Sequence, residues 1–182
     1  MRDDTIQLND FREALSRIAT TVSVVTTDGH YGRAGLTVST VCSVSAEPPS
    51  VLICINENSA VCSIIRDNAV MCVNVLRAEQ IHISGAFSGH LNDKCQNPFD
   101  LTDWESSVTG SPVMTAALVS LDCRIDSELH YGTHYIFVGE IKSLKLNMPG
   151  PPLIYHARMY ETLGQSESLS LEEMEYSWER YT

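Results

Sequence analysis

The chain opens with apolar residues at helical spacing and then turns to strand-like alternation. Phe11, Leu15 and Ile18 recur at i, i+4 and i+7, which predicts a short amphipathic helix capped by Asn9 or Asp10. From Thr21 the pattern becomes β-rich: TVSVVTT, the turn DGHYG, then RAGLTVSTVCSVS, two adjacent strands reversing at the Asp-Gly and Gly positions. Pro48 and Pro49 break the run, and VLICIN reads as a buried strand. SAVCSIIRD predicts a helix capped by Asn58 or Ser59 and ending near Asp67 and Asn68, after which VMCVNVL returns as a strand.

Residues 78–89 predict another short helix, and the polar stretch 90–112, with its Asn, Asp, Pro and Gly, predicts irregular chain. MTAALVSLDCRIDSEL, HYIFVGEIKSLKL and LIYHARMYETL supply three further β-rich segments. At least seven strands against three short helices favour a closed or nearly closed antiparallel β-barrel over alternating βαβ units. Beyond Leu163 the pattern changes again: the segment carries five Glu and one Arg. The expected organisation is one domain, 1–164, followed by an acidic tail, 165–182, either disordered or docking as a short helix.

Composition narrows the partners. With 182 residues, 43% of them apolar, the chain can bury a core without a metal or disulfides. Its 12 Lys and Arg against 23 Asp and Glu give a net charge of −11, which argues against nucleic-acid backbones and anionic membranes. Six cysteines, at 42, 54, 62, 72, 95 and 123, mostly interrupt apolar runs and read as buried free thiols. There is no C-x-x-C, no zinc-finger spacing, no leader-like N-terminus and no run of 18 apolar residues. A soluble protein of a reducing cytoplasm is expected, with no structural metal.

The sequence lacks G-x-G-x-x-G, the Walker loop, G-x-S-x-G and H-E-x-x-H. What stands out is hydroxyl density between Gly35 and Ser45, with Thr37, Ser39, Ser43 and Ser45 at alternate positions. A strand with hydroxyls aligned on one face can bind a phosphate or a polar ring edge, and it can equally be an ordinary solvated face.

The segments GLTVSTVCSVSAEPPSVLICINENSA, VMCVNVL, GTHYIFVGEIKS and LIYHARMYETL, in that order, resemble the signatures of the short-chain flavin reductases. The likeness is strongest to the type represented by the reductase components of 4-hydroxyphenylacetate 3-monooxygenase. It runs from about Phe11 to Leu163, is loose over 90–112 and stops at the tail. The resemblance implies a homodimeric FMN-binding split β-barrel that takes hydride from NADH or NADPH and passes it to FMN or FAD. The reduced flavin then diffuses to a separate flavin-dependent monooxygenase acting on a phenol-like substrate. A non-catalytic flavin-binding protein of the same fold is the alternative.

By the same resemblance, Thr37, Val38, Ser39, Thr40 and Ser43 line the flavin ring and ribityl chain. Asn58 and Ser59 meet its phosphate at a helix N-terminus, where free N–H groups and the helix dipole favour an anion. Ser84, Phe87 and Ser88 form a second flavin-contacting loop, and Arg158 and Tyr160 reach the nicotinamide side. His134 matches the family's Gly-Asp-His, with Thr133 in place of the Asp, and is the expected catalytic residue. Hydride transfer asks little acid–base chemistry of the protein, because the cofactors carry it.

Overall fold

A computed structural model of the protein describes residues 6–89 and 97–163. In chain order its elements are α1 (Leu8–Ser16), β1 (Thr20–Thr21), β2 (Ser23–Thr27), β3 (Ala34–Val38), β4 (Val41–Ala46), β5 (Pro49–Asn56), α2 (Ala60–Asn68) and β6 (Val70–Val75). Then follow a 3-10 turn (Ala78–Gln80), α3 (Ile81–Phe87), a second 3-10 turn (Pro98–Leu101), β7 (Trp104–Ser106) and β8 (Pro112–Met114). The long hairpin β9 (Val119–Tyr131) and β10 (His134–Leu146) precedes β11 (Leu153–His156) and β12 (Met159–Thr162).

Strand order explains why the main sheet is a barrel. Seven strands pair in the order β3-β2-β6-β9-β10-β5-β4, every pairing antiparallel, so β3 and β4 form its two edges. A flat sheet of that order would hold its edges about 29 Å apart at the usual strand spacing. Only Ser39 and Thr40 link β3 to β4, and three Cα steps span at most about 11 Å. The sheet therefore curls until its edges approach, giving the nearly closed antiparallel barrel expected from the strand count and the split-barrel form that the resemblance implies.

Two cores follow. Inside the barrel, Val25, Ile53, Ile65, Met71 and Phe137 are among the residues of one buried cluster. Outside it, Val24, Leu76, Ile83, Phe87, Met114 and Leu153 belong to a second, where α3 and β11 cover the sheet. Between them Asn74, fully buried, is satisfied on every side. Its amide nitrogen donates to Val24 O and Thr26 Oγ1, and its Oδ1 accepts from Met114 N and Ser120 Oγ, both at 2.9 Å.

Several elements depart from the local pattern. The stretch RAGLTVSTVCSVS forms two strands at opposite sheet edges, because the chain crosses the seam at Ser39 and Thr40. Its hydroxyls therefore do not share one strand face. The first helix begins at Leu8, with Gln7 as N-cap and no side-chain cap, so Asn9 and Asp10 lie within its first turn. None of its residues is buried, and Phe11, Leu15 and Ile18 stay about half exposed. Within 90–112, a 3-10 turn, β7 and the first residue of β8 interrupt a chain that is otherwise irregular, as expected, at 102–103 and 107–111. Cys62, Cys72 and Cys123 are buried as expected, whereas Cys42 is exposed on the edge strand β4 and Cys54 is half-buried. Cys95 and the acidic tail lie outside the described residues.

Candidate active site

Residues that the sequence spreads over a hundred positions are gathered by strand register. Val41 of β4 pairs with Ile53 of β5, so the chain preceding β4, through Thr40 and Ser39, runs towards the end of β5 at Asn56. Asn56 in turn pairs with His134, the first residue of β10. Ser39, Thr40, Asn58, Ser59 and His134 thus belong to one end of the β4-β5-β10 portion of the barrel.

At that end α2 begins. Ser59 caps it, its hydroxyl accepting from Val61 N at 3.4 Å, and the Asn56 side chain accepts from Asn58 N at 2.9 Å. Ser59 thereby takes the Val61 N–H on its hydroxyl and the Cys62 N–H on its carbonyl, and what the start of the nine-residue helix offers an anionic group is its dipole. His134 is exposed, and its Nδ1 sits 2.9 Å from Thr133 Oγ1, so the hydroxyl beside it orients the imidazole. The Asp that Thr133 replaces would have brought charge; the Thr brings only a hydrogen bond.

A groove of about 1040 Å³ opens where the barrel seam meets α1. Its walls include Ser39 and Thr40 from the seam, Tyr155 and Arg158 from the β11–β12 hairpin, and Arg12 and Glu13 from α1. Arg158 reaches Glu13 at 3.1 Å and, with Ala157, holds a left-handed backbone conformation (φ 48° and 63°) that non-glycine residues rarely adopt. The two are the loop residues of the tight β11–β12 hairpin, a turn that asks a positive φ of both, and from it Arg158 lines the groove.

The remaining expected residues lie elsewhere. Ser84 and Phe87 are buried in the outer core and do not face a ligand surface. Ser84 Oγ is 2.8 Å from Tyr160 Oη, and its carbonyl accepts from Thr37 Oγ1 at 2.8 Å, so Thr37, Ser84 and Tyr160 form one internal network. The Phe87 ring lies against Gly35, where a Cβ would come within 2.8 Å of it, and meets Phe99 and Trp104 edge-on. Val38 faces the barrel core. Ser43 stands exposed on β4, and Ser88 terminates α3 with its hydroxyl on Gly85 O.

Local reading missed two contributors. Glu57 and His130, 2.8 Å apart, flank the His134 turn, and α1 supplies one wall of the groove. A Glu between two Asn residues and a His on a strand carry no recognisable spacing, and only the fold pairs them.

Comparison with known proteins identifies the family. The family model described as the flavin reductase like domain matches residues 15–164. The chain is 39% identical over 158 residues to the FMN reductase (NADH) RutF of Serratia proteamaculans, covering 87% of this chain and 89% of that one. It is 39% identical over 150 residues to the 4-hydroxyphenylacetate 3-monooxygenase reductase component of Salmonella typhi, covering 82% and 88%. Among solved structures, the NADH:FAD oxidoreductase SgcE6 of Streptomyces globisporus C-1027, in complex with NAD and FAD fragments, superposes with a TM-score of 0.80 at 25% identity, covering 91% and 99%.

Proposed function

The chain belongs to the flavin reductase-like domain family, and on that premise we propose that it is an NAD(P)H:flavin oxidoreductase whose reduced flavin serves a separate monooxygenase. The observation that carries the reading is strand register, which sets Ser39, Thr40, the start of α2 and His134 at one end of the β4-β5-β10 portion of the barrel, Ser39 and Thr40 also walling the groove. Its relatives include a protein named as an FMN reductase that uses NADH and one named as a monooxygenase reductase component.

The residues fit a flavin by size and chemistry. The groove lies at the upper end of the roughly 300–1,000 Å³ usual for small-molecule sites. Ser39 and Thr40 supply hydroxyls at its wall, where Arg12 and Arg158 offset Asp10 and Glu13 and leave the groove neutral in a protein of net charge −11. Asn58 and the dipole at the α2 N-terminus favour a phosphate. When bound, the flavin accepts the hydride that the nicotinamide gives up.

What the chain must do is hold the two rings in contact and keep water out, and orientation of that kind removes several kcal/mol from a barrier. His134 contributes an exposed imidazole at the β5–β10 end of the barrel, positioned by Thr133, and its role in this reading is to orient the nicotinamide or balance charge on the reduced product. Thr37 and Tyr160 act from below, through Ser84, by fixing β3 and β12 beside the groove. We place this activity in the cytoplasm, where cysteines set in apolar runs stay reduced; among the described residues no helix is long and apolar enough to cross a membrane.

Purified protein is expected to oxidise NADH or NADPH slowly until FMN, FAD or riboflavin is added, and steeply afterwards. Turnover indifferent to every flavin would overturn the reading. Anaerobic reduction measured for each combination of FMN or FAD with NADH or NADPH identifies the preferred pair.

A further inference from the structure

We propose that Glu57 and His130 are positioning residues: together they clamp the β9–β10 hairpin to the turn between β5 and α2, and so set His134 relative to the α2 N-terminus. The proposal rests on the reading of His134 and Ser59 given above.

The hairpin needs such a clamp. From residue 126 to residue 134 every position is exposed, so no core packing locates the tip that carries His134. On its free side β9 has lost β6, whose last partner on it is Arg124. β10 keeps β5 beside it as far as the His134–Asn56 pair, so it is the β9 arm beyond Ile125, with β10 as its one strand neighbour, and the turn at Gly132 that the clamp has to fix.

Glu57 grips this tip at two points. Its carboxylate lies 2.8 Å from His130 Nε2 on β9, and its backbone N–H donates to Thr133 O at 3.0 Å. One residue thereby holds the chain on both sides of Gly132. From the other direction the His130 ring rests on Tyr135, with centroids 4.6 Å apart and an interplanar angle of 33°. Tyr135 Oη accepts from Arg66 of α2 at 3.4 Å. The contacts therefore close a ring through α2, Tyr135, His130, Glu57 and Thr133, whose hydroxyl orients His134.

Position in the chain adds to the argument. Glu57 stands between Asn56, which pairs with His134, and Asn58 and Ser59 at the start of α2. A shift of the β9 arm would tilt the turn and with it Thr133, whose hydroxyl orients the His134 ring, and displacements near 1 Å can cost about a hundredfold in rate. Glu57 and His130 are both nearly half exposed, and exposed ion pairs contribute little to stability. Their effect is accordingly expected in the kinetics and not in the melting curve.

The test compares Glu57→Ala, His130→Ala, the double variant, Glu57→Gln and His134→Ala with the full chain, in FMN-dependent NADH oxidation and anaerobic reduction. Glu57→Ala and His130→Ala are each expected to raise the NADH KM, or slow reduction, about three- to tenfold, a range set by the modest coupling of partly exposed pairs. The flavin KM and the melting temperature should stay at their wild-type values. The double variant should be no worse than the poorer single one, because a shared contact is lost only once. Glu57→Gln, which still accepts from the imidazole N–H, should recover most of the loss.

If His134→Ala slows reduction while Glu57→Ala and His130→Ala do not, the positioning role is overturned and the site reading stands. Additive losses in the double variant, or a lower melting temperature with normal NADH kinetics, overturn the role as well. If His134→Ala has no effect, the reading of His134 fails and takes this proposal with it.

Discussion

Gly139 of β10 and Met71 of β6 meet inside the barrel so closely that a Cβ on Gly139 would lie 2.5 Å from Met71 Cε and 2.9 Å from Cys123 Cβ. The Met71 methyl could swing aside, but Cys123 Cβ is fixed to the neighbouring strand. The β9–β10 register shifts between Val138 and Gly139, and the missing side chain leaves room for that irregularity. Gly139→Ala is therefore expected to destabilise the protein by about 1–3 kcal/mol through overpacking. Urea denaturation followed by circular dichroism measures it, and a variant as stable as wild type would show that the core yields at this point.

Tyr160→Phe probes the network beneath the groove. Ser84 Oγ is fully buried, and Tyr160 Oη is its partner. Removing that partner leaves a buried hydroxyl short of a bond, which costs about 1–3 kcal/mol. The expected result is a lower denaturation midpoint with flavin binding changed much less, measured by flavin fluorescence titration. A large loss of flavin affinity at unchanged stability would instead place Tyr160 against the ligand.

The thiols should separate by burial. Burial, reinforced by the neighbouring Asp122 charge, pushes the Cys123 thiol up to about 12 and moves Cys72 further in the same direction. Both should resist a maleimide reagent at neutral pH until the protein unfolds, while exposed Cys42 reacts at once, as peptide mass spectrometry can read. The linkage has a definite sign. A thiol whose pKa rises on folding favours the native state fully below the unfolded value near 8.5, and that contribution is lost as pH climbs towards 12. Denaturation midpoints should therefore fall from pH 8 to pH 10, and by less in Cys123→Ala.

The apolar side of α1 calls for a cover. Phe11, Leu15 and Ile18 stay about half exposed, and so does Met159. We expect a second copy of the chain to supply that cover, giving a homodimer with the groove near its interface. Sedimentation equilibrium at micromolar concentration should return the dimer mass, and Leu15→Glu should shift it towards the monomer. A wild-type monomer at that concentration refutes the assignment.

The strands, α2 with its Ser59 cap and the family were legible in the sequence, because each depends on neighbours in the chain. Short apolar runs such as VLICIN and VMCVNVL mark buried strands wherever they end up, and the Asn58-Ser59 pair before an apolar helix offers it a local cap, which Ser59 supplies. Ser39, Thr40, Asn58, Ser59 and His134 were legible as candidates through their likeness to a family. Residue spacing could not supply their convergence, which depends on which strands become neighbours.

Three results belong to the tertiary structure alone. The run from Gly35 to Ser45 looks continuous, yet closing the barrel requires a crossing at Ser39 and Thr40, a consequence of sheet order across the whole chain. Ser84 and Phe87 read as ligand contacts until α3 settles over β3 and presses Phe87 onto Gly35. Glu57 and His130 stand 73 positions apart and meet only because β5 pairs with β10 and β10 folds back on β9. Local periodicity determines what an element is, because it reflects the geometry of a few successive residues. Which side chains then face a cavity, a core or one another is decided by long-range strand pairing, and no short stretch of sequence contains it.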